Sequence, residues 1–230
     1  MRMLLVFEKG ERIRHLGLLD LQRTMQRALR RSGLPVAYSN GFNPHIIMAF
    51  ASALASGIPG EAELLDVQLS EVVSEEDCLS AMKKALPPAL PPIRVRIVDN
   101  SFPKCGRLLM RASYCFLYSS EQAEAVISAI SGFLARESIP ALRKSKTKET
   151  LVDIRPMIHR LTGELLPDGT GVMEATVSFT EEETLKPDLL MEELMKQAGN
   201  AQGRMRTIRT GLLTVYNGHE IPIVDYPWPL

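Results

Sequence analysis

The spacing of apolar residues changes period several times along this chain, and each change marks an element. Leu4–Glu8 is a short β-prone apolar run and predicts a strand. Lys9-Gly10 is a turn, and residues 12–16 predict a second extended piece. From Leu18 to Ser32 the spacing becomes three and four. Leu18, Leu21, Met25, Ala28, Leu29 and Ser32 share one helical face, with Arg23, Arg27, Arg30 and Arg31 on the other side. Gly33 stops this helix and Pro35 bars a restart. Val36–Ser39 predicts a short strand, Asn40-Gly41 a turn, and residues 46–51 a buried strand. Residues 63–69 alternate and predict a strand with one wet face. Ser74 opens a helix with Asp77 at its third position, an imperfect capping box, and Pro87-Pro88 closes it. Ile93–Val98 predicts a further strand.

Strand, helix, strand pair, helix, strand is the βαββαβ plan of a ferredoxin-like domain. The second half repeats the order. Residues 108–118 predict a strand, and 121–136 a helix with Ala125, Ile127, Ile130, Phe133 and Leu134 near one face. Residues 150–161 are extended, Pro167-Asp168-Gly169 is a turn, and 172–179 alternate cleanly. Residues 187–197 predict a helix with proline in its first turn, and 205–215 a last strand. The expected fold is α+β: two tandem ferredoxin-like modules with antiparallel sheets, at 1–102 and 103–216, then an irregular tail at 217–230. Residues 100–104 are the expected linker.

With 230 residues, 45% of them hydrophobic and 23% charged, the chain can bury a core. A formal net charge of zero argues against coating a polyanion by bulk charge. The zero conceals blocks of opposite sign. Residues 1–60 carry eight Lys/Arg against three Asp/Glu, and 136–160 carry seven against three. Residues 61–90 and 161–200 are acidic in compensation. Basic blocks sharing one face could hold a polyanion despite the neutral total. Cys78, Cys105 and Cys115 fit neither a disulfide framework nor a zinc site. The N-terminal apolar run is too short for a secretion signal, and no window approaches the roughly 18 apolar residues of a membrane span. The expectation is a soluble cytoplasmic protein with no membrane partner. Nucleotide-binding, metalloprotease and serine-hydrolase motifs are absent, and His15, His45, His159 and His219 have no metal spacing. Neither a cofactor nor a metal is expected.

Three groups can carry chemistry. The first is the helical stripe of four guanidiniums, Arg23, Arg27, Arg30 and Arg31, whose forked geometry suits phosphate oxygens and whose only nearby acid is Asp20. The second is the loop S-N-G-F-N-P-H. Gly41 permits a positive φ there, Asn43-Pro44 favours a tight turn, and Ser39, Asn43 and His45 project as donors and acceptors. Phe42 has two readings, a base-stacking ring or a core plug, and the core is the expected place. His45, or His15, is the candidate general acid or base if the protein is an enzyme. The third is R-K-S-K-T-K, in which Lys144, Lys146 and Lys148 alternate and would face one side of an extended segment, followed by Asp153 and Arg155 two residues apart.

The runs R-x-L-G-x-L-D-L-x-R, R-A-L-R-R-S-G-L-P, Y-S-N-G-F-N-P-H, A-L-A-S-G and V-D-I-R-P resemble the radical-SAM-linked protein family, whose own activity is uncharacterised. The resemblance is dense over residues 12–66 and thin beyond about Arg160. It covers Asp20, Arg23, Arg27, Arg30, Ser39, Gly41, Phe42, Asn43, Pro44, His45, Glu63, Asp153, Arg155 and Pro156. Leu18 departs from it, standing where many members carry histidine. The resemblance implies a radical SAM protein as partner and a place in RNA or ribosome maturation. The expected function is that of an RNA-binding accessory protein acting on tRNA or rRNA with such an enzyme. Arg23, Arg27, Arg30, Lys144, Lys146, Lys148 and Arg155 would hold phosphates, while Ser39, Asn43 and His45 touch base or sugar. Asp20, Gly41, Phe42, Pro44, Glu63 and Asp153 would shape the motif. The alternatives are a metal-independent RNA-processing enzyme using His45, and an adaptor that binds protein alone.

Overall fold

A computed structural model describes residues 1–119, 121–144 and 149–228, with Lys144 described by its backbone only. In chain order the first elements are β1 (Arg2–Lys9), α1 (Leu18–Ser32), β2 (Met48–Phe50), β3 (Gly60–Gln68), α2 (Glu75–Ala85), β4 (Pro92–Val98) and α3 (Cys105–Leu108). Then follow β5 (Arg111–Ser119), α4 (Ala123–Leu134), β6 (Pro140–Lys144), β7 (Glu149–Asp153), β8 (Ile158–Leu165), β9 (Gly171–Ser178), α5 (Pro187–Gln197), β10 (Arg204–Tyr216) and β11 (His219–Pro222). The chain is mixed α+β with mostly antiparallel strand pairing. It forms two compact units, one of Met1–Leu109 with Arg209–Leu230, the other of Met110–Ile208.

In the first unit β1 lies between β4 and β3 and is antiparallel to both, and β2 pairs antiparallel with β3. β1 carries a continuous apolar run because both of its faces are buried. Met3, Leu5 and Phe7 join a core cluster with Leu65 and Val67 of β3, Leu21, Met25, Ala28 and Leu29 of α1, and Cys78, Met82 and Ala85 of α2. Leu4 and Val6 are buried on the opposite face. Gly33 ends α1 at φ 72°, a left-handed conformation that suits glycine. Ser74 caps α2 by accepting from the Asp77 N–H, and its hydroxyl donates to the Asp77 carboxylate at 2.6 Å. Leu18, expected inside, is 40% exposed at the start of α1. Residues 12–16 are not extended: a 3-10 turn at Glu11–Ile13 leads into α1.

Two buried ion pairs stitch distant segments of this unit together. Arg2 grips Asp66 with two nitrogens and donates to the carbonyls of Phe102 and Pro103. Its guanidinium also lies 5.7 Å from the Phe102 ring centroid, and that of Arg96 lies 5.6 Å from it. The expected linker at 100–104 is therefore packed, with Phe102 and Cys105 buried. Within the tail, residues 219–226 are held against the first unit. β11 pairs with β10, Arg96 donates to the carbonyls of Val224 and Tyr226 at 2.7 Å, and Arg94 pairs with Asp225 at 2.6 Å.

The second pair joins Arg209 to Glu63, Nε to Oε1 at 2.8 Å and Nη2 to Oε2 at 2.5 Å. Arg209 also donates to Ser52 Oγ and the Ala53 carbonyl. Lys9 is buried near the same carboxylate and donates to the Arg14 carbonyl at 2.7 Å. Burial lowers the Lys9 ammonium below its ordinary value; Glu63 opposes that shift and Arg209 adds to it. Arg14 O also accepts from Gly57 N–H, and His15 O from Ser56 Oγ. The cluster thus pins both the segment entering α1 and the 51–60 loop.

In the second unit β9 lies between β5 and β8, antiparallel to both. α4 packs on β8 with Ala123, Val126, Ile130 and Phe133 buried; Ile130 and Phe133 lie on the expected face, and Ala125 is exposed. A Cβ on Gly163 of β8 would come within 2.7 Å of Ile127 and Ile130. β6 and β7 form a separate two-stranded sheet inserted between α4 and β8.

Replacing Glu63 by alanine leaves Arg209 and Lys9 buried without a counter-charge. The expected loss is about 3–5 kcal/mol, read from urea unfolding followed by Trp228 fluorescence. A loss below about 1 kcal/mol would show that the cluster is not a structural tie.

Candidate nucleic-acid interface

α1 presents its arginines outward because Leu21, Met25, Ala28 and Leu29 occupy the inward positions at spacing three and four. Arg23, Arg27 and Arg30 are exposed. Arg23 pairs with Asp20 at 3.3 Å with both side chains more than half exposed, an interaction worth little in water. Arg27 and Arg30 have no ion pair or hydrogen-bond partner among the described residues. Arg31 differs: it reaches across to donate to the Ala85 carbonyl at 2.8 Å. The outward stripe therefore holds three guanidiniums rather than four.

Seven residues on from α1 the chain makes a small hairpin. Val36 bridges to Leu69, Tyr38 bridges to Ile46, and Val36 and Ile46 both sit in the same buried cluster as Met25 and Leu29. Helix and hairpin thus stand on one core. Ser39 and His45 close the loop. Ser39 N–H donates to the His45 carbonyl at 2.8 Å, His45 N–H donates to Ser39 Oγ at 3.1 Å, and Ser39 Oγ lies 2.8 Å from His45 Nδ1. The last contact orients the imidazole. Ser39 Oγ also accepts from the His45 backbone N–H, and where its own proton goes to Nδ1 the ring proton sits on Nε2.

Between these closures lie Asn40, Gly41, Phe42, Asn43 and Pro44, all exposed. Gly41 has φ 116°, which other residues adopt only under strain. Phe42 is fully exposed, so the expectation of a core plug is corrected. The short hairpin places the ring away from the sheet, where the core cannot reach it. Residues 37–50 contain no Asp, Glu, Lys or Arg, and His45 is the loop's only basic side chain.

The remaining candidates go elsewhere. The Asp153 carboxylate accepts from the Ile139 and Arg155 N–H groups at 2.8 and 3.0 Å, which holds its pKa below the ordinary carboxylate value. The Arg155 guanidinium donates to the Leu134 and Ile158 carbonyls. This pair ties the β6–β7 sheet to α4 and is committed to internal bonds. Lys146 and Lys148 lie outside the described residues, as does the Lys144 side chain. Glu63 is the buried partner of Arg209. His15 is exposed and lies beside Gly57.

Sequence reading missed the buried cations Arg2, Lys9 and Arg209. Basic residues within or beside strands were the available signal, but their partners lie up to 146 positions away. Two of the three thiols, Cys78 and Cys105, are buried. Burial pushes Cys105 up to about 12 and Cys78 up to about 11. Among the described residues no group of His, Cys, Asp and Glu could hold a metal, and no helix is long and apolar enough to cross a membrane.

A family model described as "Uncharacterized protein conserved in bacteria (DUF2344)" matches residues 2–187. No curated protein matches the chain.

Ser39→Ala removes the contact that orients the His45 ring. Nitrogen NMR of the neutral imidazole is expected to show the Nε2–H tautomer dominant in the parent and less so in the variant. An Nδ1–H tautomer in the parent would contradict the assigned hydrogen bond.

Proposed function

We propose a function from the premise that the chain belongs to this family of uncharacterised bacterial proteins: it is an RNA-binding accessory protein. The observation that carries the reading is the outward stripe of Arg23, Arg27 and Arg30, balanced only by an exposed Asp20. Each guanidinium can take a phosphate in forked geometry, and a bound polyanion would relieve the mutual repulsion of the stripe. Ser39, Asn43 and His45 supply neutral donors and acceptors for base and sugar on a loop standing on the same core. The resemblance to radical-SAM-linked proteins supplies the partner: a radical SAM enzyme that modifies the tRNA or rRNA this chain presents. No charge transfer or bond breaking is assigned to the chain itself in this reading.

Both units are read as ferredoxin-like. In the first, β1 flanked by β4 and β3, with β2 on β3, matches the strand order of that plan. In the second, β5, α4, β8, β9, α5 and β10 repeat the element order, with β9 between β5 and β8. The β6–β7 sheet is an insertion.

A second reading, RNA processing with His45 as general acid or base, is favoured by one observation: the Ser39 hydroxyl 2.8 Å from Nδ1, which aims Nε2 outward. The two readings separate on incubation with total RNA, since only the second predicts cleavage, and cleavage lost in His45→Ala.

The first reading predicts salt-sensitive affinity for RNA. Arg23→Ala with Arg27→Ala should weaken binding at every sequence tested and flatten the log–log salt dependence by about 1 to 2. Fluorescence anisotropy over a salt series measures both. Parent protein that binds no tRNA or rRNA at low salt would refute the reading.

A further inference from the structure

We infer that the Ser39–His45 loop is a stacking platform for one unpaired nucleobase, with Phe42 as the platform. The inference rests on the RNA-binding reading and names the kind of RNA involved.

A fully exposed phenylalanine gains nothing from its own fold, yet this ring is held out on a closed loop. Three hydrogen bonds between Ser39 and His45 clamp the base of the loop. Gly41 turns it with φ 116°, and Pro44 restricts both its own φ and the conformation of Asn43. The backbone that carries the ring is therefore constrained before binding. Its polar neighbours along the loop are Asn40, Asn43 and His45. An apolar protein anchor is normally ringed by further apolar contacts that exclude water; here the exposed loop side chains next to Phe42 are two amides, an imidazole and Pro44.

That combination suits a base. A nucleobase offers a π-face to Phe42 and a polar edge to the Asn43 amide and to His45 Nε2. In a duplex both faces of each base are covered by the stack, and the deep groove of A-form RNA excludes side chains. The ring can therefore engage only a base that is unpaired: in a loop, a bulge or a single strand. The Arg23, Arg27 and Arg30 stripe would add sequence-independent attraction for the adjoining phosphates.

The test uses a short single-stranded RNA carrying 2-aminopurine, and the same strand annealed to its complement. Phe42→Ala should weaken binding of the single strand roughly five- to one-hundredfold and leave the duplex nearly unchanged. Because the ring is exposed, the variant should fold as the parent does. Phe42→Trp should restore binding, and the fluorophore should be quenched by the parent and by Phe42→Trp but not by Phe42→Ala. If the parent binds RNA and Phe42→Ala binds the single strand equally well, the ring serves a protein contact and the platform proposal falls alone. If the parent binds neither RNA, the underlying reading falls with it.

Discussion

The first unit depends on a carboxylate shared by two buried cations. Glu63 is buried on β3, Arg209 arrives from β10 at the far end of the chain, and Lys9 closes β1. Ionised groups in an interior are costly unless paired and fully hydrogen-bonded. Here further donors are spent close by: Arg209 on Ser52 Oγ and the Ala53 carbonyl, Lys9 on the Arg14 carbonyl. Each bond fixes a segment that no apolar contact would fix as specifically. The Arg14 carbonyl, held by Lys9 and Gly57, sets the direction in which the chain enters α1. The arginine stripe is thus aimed by charges that never reach solvent.

Two groups of arginines with different work stand out among the described residues. Arg2, Arg96, Arg155 and Arg209 are turned onto backbone carbonyls, and Arg31 is tied back to Ala85. Their work is to join elements distant in sequence. Arg23, Arg27 and Arg30 remain outward on a rigid helix. Of these two groups, the second is the one placed to attract a polyanion. A neutral total charge is compatible with such a patch because the inward cations carry their own acids, as Arg2 does with Asp66.

Local signals in the sequence were reliable where local physics decides. Gly33, Ser74 and Pro187 marked the ends of α1, α2 and α5 because capping and φ restriction act within a few residues. The inward face of α1 followed from its 3.6-residue period, apart from Leu18 in the first turn. What sequence could not resolve was long-range. Residues 100–104 look like a linker until Arg2 and Phe102 are seen together, and the tail looks irregular until Arg94 and Arg96 hold it. Phe42 was misplaced for a related reason. Hydrophobicity predicts burial, but a five-residue hairpin loop with both stems anchored by Val36 and Ile46 has no way to fold its tip back. Arg155 was expected to hold phosphate and Asp153 to shape the motif; spacing alone does not reveal their hydrogen bonds to Leu134, Ile158 and Ile139.

The central claim is that α1 and the Ser39–His45 loop together form the RNA-facing surface. Ultraviolet crosslinking of the full chain to cellular RNA, followed by mass spectrometry of the nucleotide-bearing peptides, tests it most directly. The account predicts adducts on the peptide containing Phe42 and His45 and on peptides from α1. Adducts confined to residues 110–208, or none after efficient irradiation, would contradict it.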